Sequence, residues 1–349
     1  MRFCPRKRRA TNDGFTCFVL ALLVSTACHR VSGSDSSTSD RDTHHSDTAS
    51  SAGTDTATGS ETSPNSCDVI KFKDPNFEAF MRDLLDIPSG PIRGSDVSSV
   101  EGISISAGLE IRDVTGIECA YKIQRLMVNE NPLESIAPLE HLQELDRIHL
   151  RATEVEDLSP LSEYDEFTEL VVEDCKVESV EPLAGIKFGS LELDGSPIND
   201  VTPLSACEVS TLNISRIGLT ALPSLKNMGI NELYAYENAI EDLTPLSHAT
   251  NYINTVRLAH NQIADLLPLT NPDFAGVFDL DLSDNMISDL SPLLEVDWLG
   301  ETWLKVSGNP LNLESTSEIL PILCDRAIAV VWGEMEGAPT EGRCGELPP

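Results

Sequence analysis

Three sets of side chains in this 349-residue chain are of types that do chemistry: regularly spaced carboxylates, a few cysteines, and tyrosine and tryptophan interleaved with arginine and lysine. Asp157, Asp200, Asp242, Asp265 and Asp289 invite a search for a catalytic carboxylate pair. A pair needs two particular residues, whereas these five recur at one position, before Leu or Val and then, in four of five cases, Ser/Thr-Pro. Such recurrence means turn or cap duty. Asp279, Asp281 and Asp284 imitate part of a calcium loop but lack its obligatory Gly. There is no Gly-rich phosphate loop, Gly-x-Ser-x-Gly elbow, two-histidine zinc helix or Cys-x-x-Cys pair. The expectation is a non-enzyme with no cofactor and no metal. The third set is different in kind: Tyr234, Tyr236 and Trp303 stand near Arg257 and Lys305, and Tyr, Trp and Arg dominate binding energy at interfaces.

What positions those side chains is a repeat running from Ile123 to Leu313: aliphatic, any, aliphatic, any, any, Asn-like, any, aliphatic, often followed by Asp-aliphatic-Ser/Thr-Pro-Leu. Two clear copies begin at Leu280 (Leu282, Asn285, Ile287, Leu290, Leu293) and at Val256 (Leu258, Asn261, Ile263, Leu266, Leu269). The Asn slot falls at Asn131, Thr153, Cys175, Ser196, Ile217, Asn238, Asn261, Asn285 and Asn309, spaced by 21 to 24 residues. That is the period of a leucine-rich repeat. One copy buries too few aliphatic groups to offset the entropy of ordering its residues, so copies must stack and share a core, each short strand pairing with the next in a parallel sheet.

The pattern resembles the internalin type of bacterial leucine-rich repeat, and is also similar to the eukaryotic phosphatase-regulator type, over about two thirds of the chain. The resemblance implies an α/β solenoid, an arc with the parallel sheet on its concave face and a cap at each end. It also implies that the Asn side chain satisfies backbone groups where strand turns into loop. Thr153, Cys175 and Ser196 can make weaker polar contacts there; Ile217 cannot, and looser order is expected from Arg216 to Gly218.

Within each strand the fixed aliphatics point inward, so the residues between and beside them face out. Nine strands at roughly 4.8 Å spacing give a face about 40 Å long. Its first two full repeats carry Arg125, Arg147, His149 and Arg151, the next two Glu169 and Glu192, and further along come Tyr234, Tyr236, Arg257, Asp281, Trp303 and Lys305. These twelve are the expected protein-binding residues, charge setting orientation and aromatics supplying affinity. A solvated face on a structural spacer is the alternative.

The ends read differently. Residues 1–27 form an export signal, with basic Arg2, Arg6, Lys7, Arg8 and Arg9 before an apolar stretch, Phe15 to Ala27, too short to span a bilayer. Val24-Ser-Thr-Ala27-Cys28 resembles a bacterial lipoprotein box, which implies an acylated Cys28 and a cell-envelope location. Ser25 departs from the usual Leu, leaving ordinary cleavage after Ala27 as the alternative. Residues 28–66, rich in Ser, Thr and Asp, make a hydrated tether, and His44 and His45 within it hold no metal.

Residues 67–102 form an N-terminal helical cap: Asp74-Pro75 starts a helix with Phe77, Phe80, Met81, Leu84 and Leu85 on its apolar face, and Ser95 or Asp96 starts a second turn. The repeats fill 103–313. Residues 314–349 form the C-terminal cap and tail, helical from Ser315 to Cys324 and closed by a strand from Ala327 to Trp332. Removing Cys4, Cys17 and an acylated Cys28 leaves six cysteines. Cys67 with Cys119, and Cys324 with Cys344, would staple the two ends, while Cys175 and Cys207 are buried thiols.

The net charge is −33; without residues 1–27, 19 basic residues face 56 acidic ones, a net −37. Nucleic acid and anionic lipid surfaces are repelled. The expected partner is a protein or peptide, a basic one being favoured, bound by a monomer that touches the membrane only through its lipid.

Overall fold

The structure is a computed structural model describing residues 67–249, 251–327, 329–332 and 342–345. Each copy of the repeat contributes one strand: β1 (Gly102–Ile105), β2 (Arg125–Asn129), β3 (Arg147–Arg151), β4 (Glu166–Glu173), β5 (Lys187–Glu192), β6 (Glu208–Asn213), β7 (Glu232–Tyr234), β8 (Ile253–Arg257), β9 (Val277–Asp281) and β10 (Trp303–Lys305). β11 (Ala329–Trp332) continues the parallel sheet in chain order, and β12 (Gly342–Gly345) pairs antiparallel with β11. The register is strict. Leu126, Ile148, Leu170, Leu191, Leu212, Leu233, Val256, Leu280 and Leu304 form one lateral row, and every one is fully buried.

The asparagine ladder is what turns each strand. Asn261 Nδ2 donates to the carbonyls of Ala235 in the preceding coil and Leu258 in its own, at 2.9 and 3.1 Å, while its Oδ1 accepts from Ile240 N at 2.9 Å. Asn285 and Asn309 repeat this set. In the variant slots Thr153 Oγ1 meets Cys175 Sγ at 3.2 Å, Cys175 Sγ also reaches Leu150 O, and Ser196 Oγ donates to Val172 O. The residue before each slot, Glu130, Ala152, Asp174, Gly195, Arg216, Glu237, His260, Asp284 and Gly308, has φ between 47° and 72°. A left-handed residue with a Cβ costs about 1 kcal/mol or more, and the ladder's buried hydrogen bonds offset it.

At Ile217 the expected loosening does not occur. Arg216 N donates to Tyr236 O, and both Ile217 N and Leu219 N donate to Asn238 Oδ1 at 3.2 and 3.0 Å, so the next coil holds the segment.

The five periodic aspartates each accept, through Oδ1 at 2.8 Å, the backbone N–H two residues on. Asp113 does the same for Thr115 in the first coil at 2.7 Å. These carboxylates precede short 3₁₀ turns, or in the case of Asp242 a single α-helical turn, and are turn acceptors.

At the N-terminal end, helix α1 (Pro75–Leu85) is capped by Asp74, whose Oδ1 accepts from Asn76 N and Phe77 N while its Oδ2 accepts from Arg112 N at 2.6 Å. One carboxylate thus joins the cap to the first coil. Phe77 and Met81 are buried and Phe80 and Leu85 half-buried, but Leu84 is 46 % exposed, a correction to its expected place on the apolar face. Eleven residues of helix packed on one coil bury too narrow a stripe to include it. The second turn, α2 (Gly94–Val97), begins one residue earlier than expected, after Arg93, with Asp96 Oδ2 accepting from Arg93 N. A single further helical turn, α3 (Thr244–Ser247), lies within the repeats.

At the other end a π-helical turn, Ser315–Ile319, runs into α4 (Leu320–Arg326), burying Ile319, Leu320 and Leu323. The closing strand begins at Ala329 and is itself covered by β12, which the sequence reading lacks: Gly-Arg-Cys-Gly has no aliphatic alternation. Disulfides join Cys67 to Cys119 and Cys324 to Cys344; Cys175 and Cys207 are free and buried. Burial pushes both thiols above their ordinary range. Among the described residues no helix is long and apolar enough to cross a membrane. The export signal, Cys28, the tether and its His44 and His45 lie outside the described residues.

Candidate protein-binding face

The outward positions form three lateral columns. Arg125, Arg147, Glu169, Ser190, Thr211, Glu232, Thr255, Asp279 and Trp303 make the first; Met127, His149, Val171, Glu192, Asn213, Tyr234, Arg257, Asp281 and Lys305 make the second. The third, at the strand ends, holds Asn129, Arg151 and Glu173 in register and continues through Asp194, Ser215 and Tyr236. All twelve residues expected from the sequence stand on this face. Arg125 and Arg147 are exposed, and the other ten are half-buried.

The basic and acidic blocks are partners across neighbouring strands. Arg151 contacts Glu173 closely and lies 3.6 Å from Glu192. His149 Nε2 sits 2.9 Å from Glu169 Oε2, but off the line a hydrogen bond requires, so the contact is one of proximity alone. Val171, between His149 and Glu192 in the second column, is fully buried although it faces outward. Burial, and then the neighbouring carboxylates Glu169 and Glu173, hold the Glu192 carboxyl above its ordinary range against the opposing pull of Arg151. Glu173 and Glu192 here share one guanidinium, and Glu169 has His149 beside it.

A second cluster lies five strands away. Arg257 makes a bidentate pair with Asp279, at 2.8 and 2.5 Å, and reaches Asp281 at 3.8 Å, which also meets Lys305 Nζ at 3.5 Å. Two cations face two carboxylates. Tyr234 borders this cluster through Arg257 in register, and its hydroxyl donates to Glu232 at 3.0 Å; burial, followed by Glu232, pushes its pKa up to about 12.

The three aromatics do not form one patch. Tyr234 and Trp303 are three strands apart, about 14 Å laterally. Trp303 instead packs its ring 4.7 Å from Phe278, a residue the sequence reading passes over because it precedes the first outward column by one. Tyr236 follows Ser215 in the third column, where Arg216 pairs with Asp194 at 2.8 Å. Arg216 was likewise not anticipated; it occupies the left-handed corner between Ser215 and Ile217, outside the alternation that marks outward positions.

Asn129 Oδ1, His149 Nε2, Ser215 Oγ and Trp303 Nε1 are the buried side-chain polar atoms without an aligned hydrogen bond among the described residues. All four belong to this outward face. The core side, by contrast, has its polar atoms paired, as folded proteins generally do. Among the described residues no group of three or more His, Cys, Asp or Glu is arranged to hold a metal ion.

The lateral aliphatic row, the asparagine ladder and the strand-per-copy sheet define a leucine-rich-repeat solenoid. No protein-family model matches the chain, and no curated protein does. Among solved structures it is similar in fold to three proteins of Listeria monocytogenes. The internalin InlF is 20 % identical, with a TM-score of 0.48 over 74 % of this chain and 88 % of that one. Internalin C2 is 18 % identical, with a TM-score of 0.44 over 77 % of this chain and all of that one. The functional domain of InlJ, which includes a cysteine ladder, is 19 % identical, with a TM-score of 0.47 over 69 % and 56 %. The repeat class follows from this chain's own geometry, independently of those likenesses.

Proposed function

We propose that this chain is a non-enzymatic recognition module: exported, anchored at a bacterial cell envelope through an acylated Cys28, and binding a protein or peptide through the outward face of its sheet as a monomer. The observation that carries the reading is the segregation of Tyr234, Tyr236, Trp303 and the ionic clusters onto one face, each half-buried there, while the aliphatic row fills the other. Half-buried aromatics and arginines are the groups that anchor interfaces. The chain's net −33 favours a basic partner over nucleic acid or an anionic surface.

The test is a photo-crosslinking residue at Asn213 in intact cells, in otherwise native protein and in a Tyr234→Ala/Tyr236→Ala/Trp303→Ala background. A specific crosslinked species that disappears in the triple variant is expected. An undiminished species in a folded triple variant removes the sheet face from the reading. Cys28→Ala, followed by fractionation, checks the anchor: loss of membrane association is expected.

A structural spacer is the second reading, and one observation favours it. Arg257, Lys305, Asp279 and Asp281 satisfy one another, which leaves little charge there for a ligand. Absence of any face-dependent crosslink selects it.

A further inference from the structure

We propose that the groove at the starts of β4–β6 and the adjoining face of those strands together receive an extended, lysine- or arginine-bearing segment of the partner. This rests on the sheet face being the binding surface and names the chemistry that surface selects. β4, β5 and β6 are eight, six and six residues long, against three to five for the other repeat strands. The extension brings backbones close: a Cβ on Gly189 would lie 2.6 Å from Thr168 O. The lengthened starts line an open groove of about 550 Å³.

Its charged lining is Asp146, Glu166 and Glu208 against Lys187. Lys187 is taken by Glu208 at 3.1 Å, and Asp146 Oδ1 accepts from Thr168 N, whereas exposed Glu166 has no ion pair among the described residues. Further along the same strands Glu173 and Glu192 flank Arg151, and Glu169 lies beside His149. The groove thus sets three carboxylates against Lys187 and Arg147, the latter 3.6 Å from Asp146, and the face sets three against Arg151 and His149, so carboxylates are in excess in both. Lys187 to Glu192 spans five residues, about 17 Å along the strand, a distance an extended peptide covers in as many residues.

The neighbouring outward positions, Ser190, Thr211 and Asn213, are short, so the way across is open, and Tyr234 borders it on β7. Burial raises the Glu192 carboxyl, and Glu169 and Glu173 add to that shift while Arg151 opposes it. Two independent features, a concave groove and a crowded carboxylate cluster, therefore point to the same complement on the same three strands. The balanced Arg257 cluster offers no such preference.

The experiment titrates the full chain calorimetrically at 0.15 M salt with a (Lys-Ser)₆ dodecapeptide and with its (Glu-Ser)₆ counterpart. Glu166→Gln/Glu192→Gln is compared with Glu156→Gln/Glu178→Gln, which changes net charge equally at exposed sites away from this face. The basic peptide is expected to bind about tenfold more weakly to the first variant and within about twofold of native to the second. Equal losses in both variants, no binding of the basic peptide to the native chain, or equal binding of the acidic peptide overturns the proposal.

Should the first variant not fold, amide shifts in the native chain decide: changes centred on β4–β6 support the proposal, and changes centred elsewhere sink it. The sheet-face reading fails separately, when the aromatic triple variant keeps its crosslink.

Discussion

Two ionic clusters share one sheet face and differ in their balance. Around Arg151, on β3 to β5, Glu173 and Glu192 compete for one guanidinium, and Glu169 sits beside His149 without a hydrogen bond to it. Around Arg257, on β8 to β10, Asp279 and Asp281 are matched by Arg257 and Lys305, and the principal pair is bidentate. Asp279 and Asp281 are also the more enclosed, with side chains 14 % and 16 % exposed against 24 % to 30 % for the three glutamates. The difference teaches that charge on such a face serves two ends. A matched cluster ties strands together, and an unmatched one leaves carboxylate charge unpaired on the surface.

Breaking each hub separates these roles. Arg257→Ala leaves enclosed Asp279 without its bidentate partner and Asp281 with Lys305 alone, and is expected to cost about 3 kcal/mol in urea unfolding. Arg151→Ala leaves carboxylates that water reaches more easily, and is expected to cost about 1 kcal/mol. Equal costs would erase the distinction between the clusters.

The smallest effect is the most specific. The native Glu192 carboxyl holds its proton more tightly than the same group in the unfolded chain, because its pKa is raised. Stability is therefore lost as pH rises from the ordinary glutamate value, about 4.3, through the raised native one. Glu192→Gln removes that loss. A small gain at pH 7, under about 1 kcal/mol, is expected to shrink as pH falls below about 4. Glu173→Gln, which removes the carboxylate that Arg151 contacts more closely, is expected to give no such gain.

Much of the fold could be read because it is periodic. Leu280, Leu282, Asn285 and Ile287 announce a strand, a buried pair and a corner without reference to any other part of the chain. Asp157 and its four counterparts announce a turn in the same way. Where the period stops, so does legibility. The strand Gly342–Gly345 is held by β11 and by the Cys324–Cys344 disulfide and not by any pattern of its own. Leu84 keeps helical spacing yet has no surface to bury against. Ile217 breaks its slot, and the repair comes from Asn238, one coil later.

The sequence by itself determined which side of each strand is core, since a coil that cannot bury its aliphatics alone must repeat them, and repetition is visible in one dimension. It also determined that Arg151, Glu192, Tyr234 and Arg257 face outward. Only the tertiary structure decided who meets whom. Arg151 and Glu192 are 41 residues apart in the chain and 3.6 Å apart in space. Whether a charge is matched depends on lateral register and side-chain reach between coils, and those are properties of the stacked sheet that no single copy of the repeat encodes.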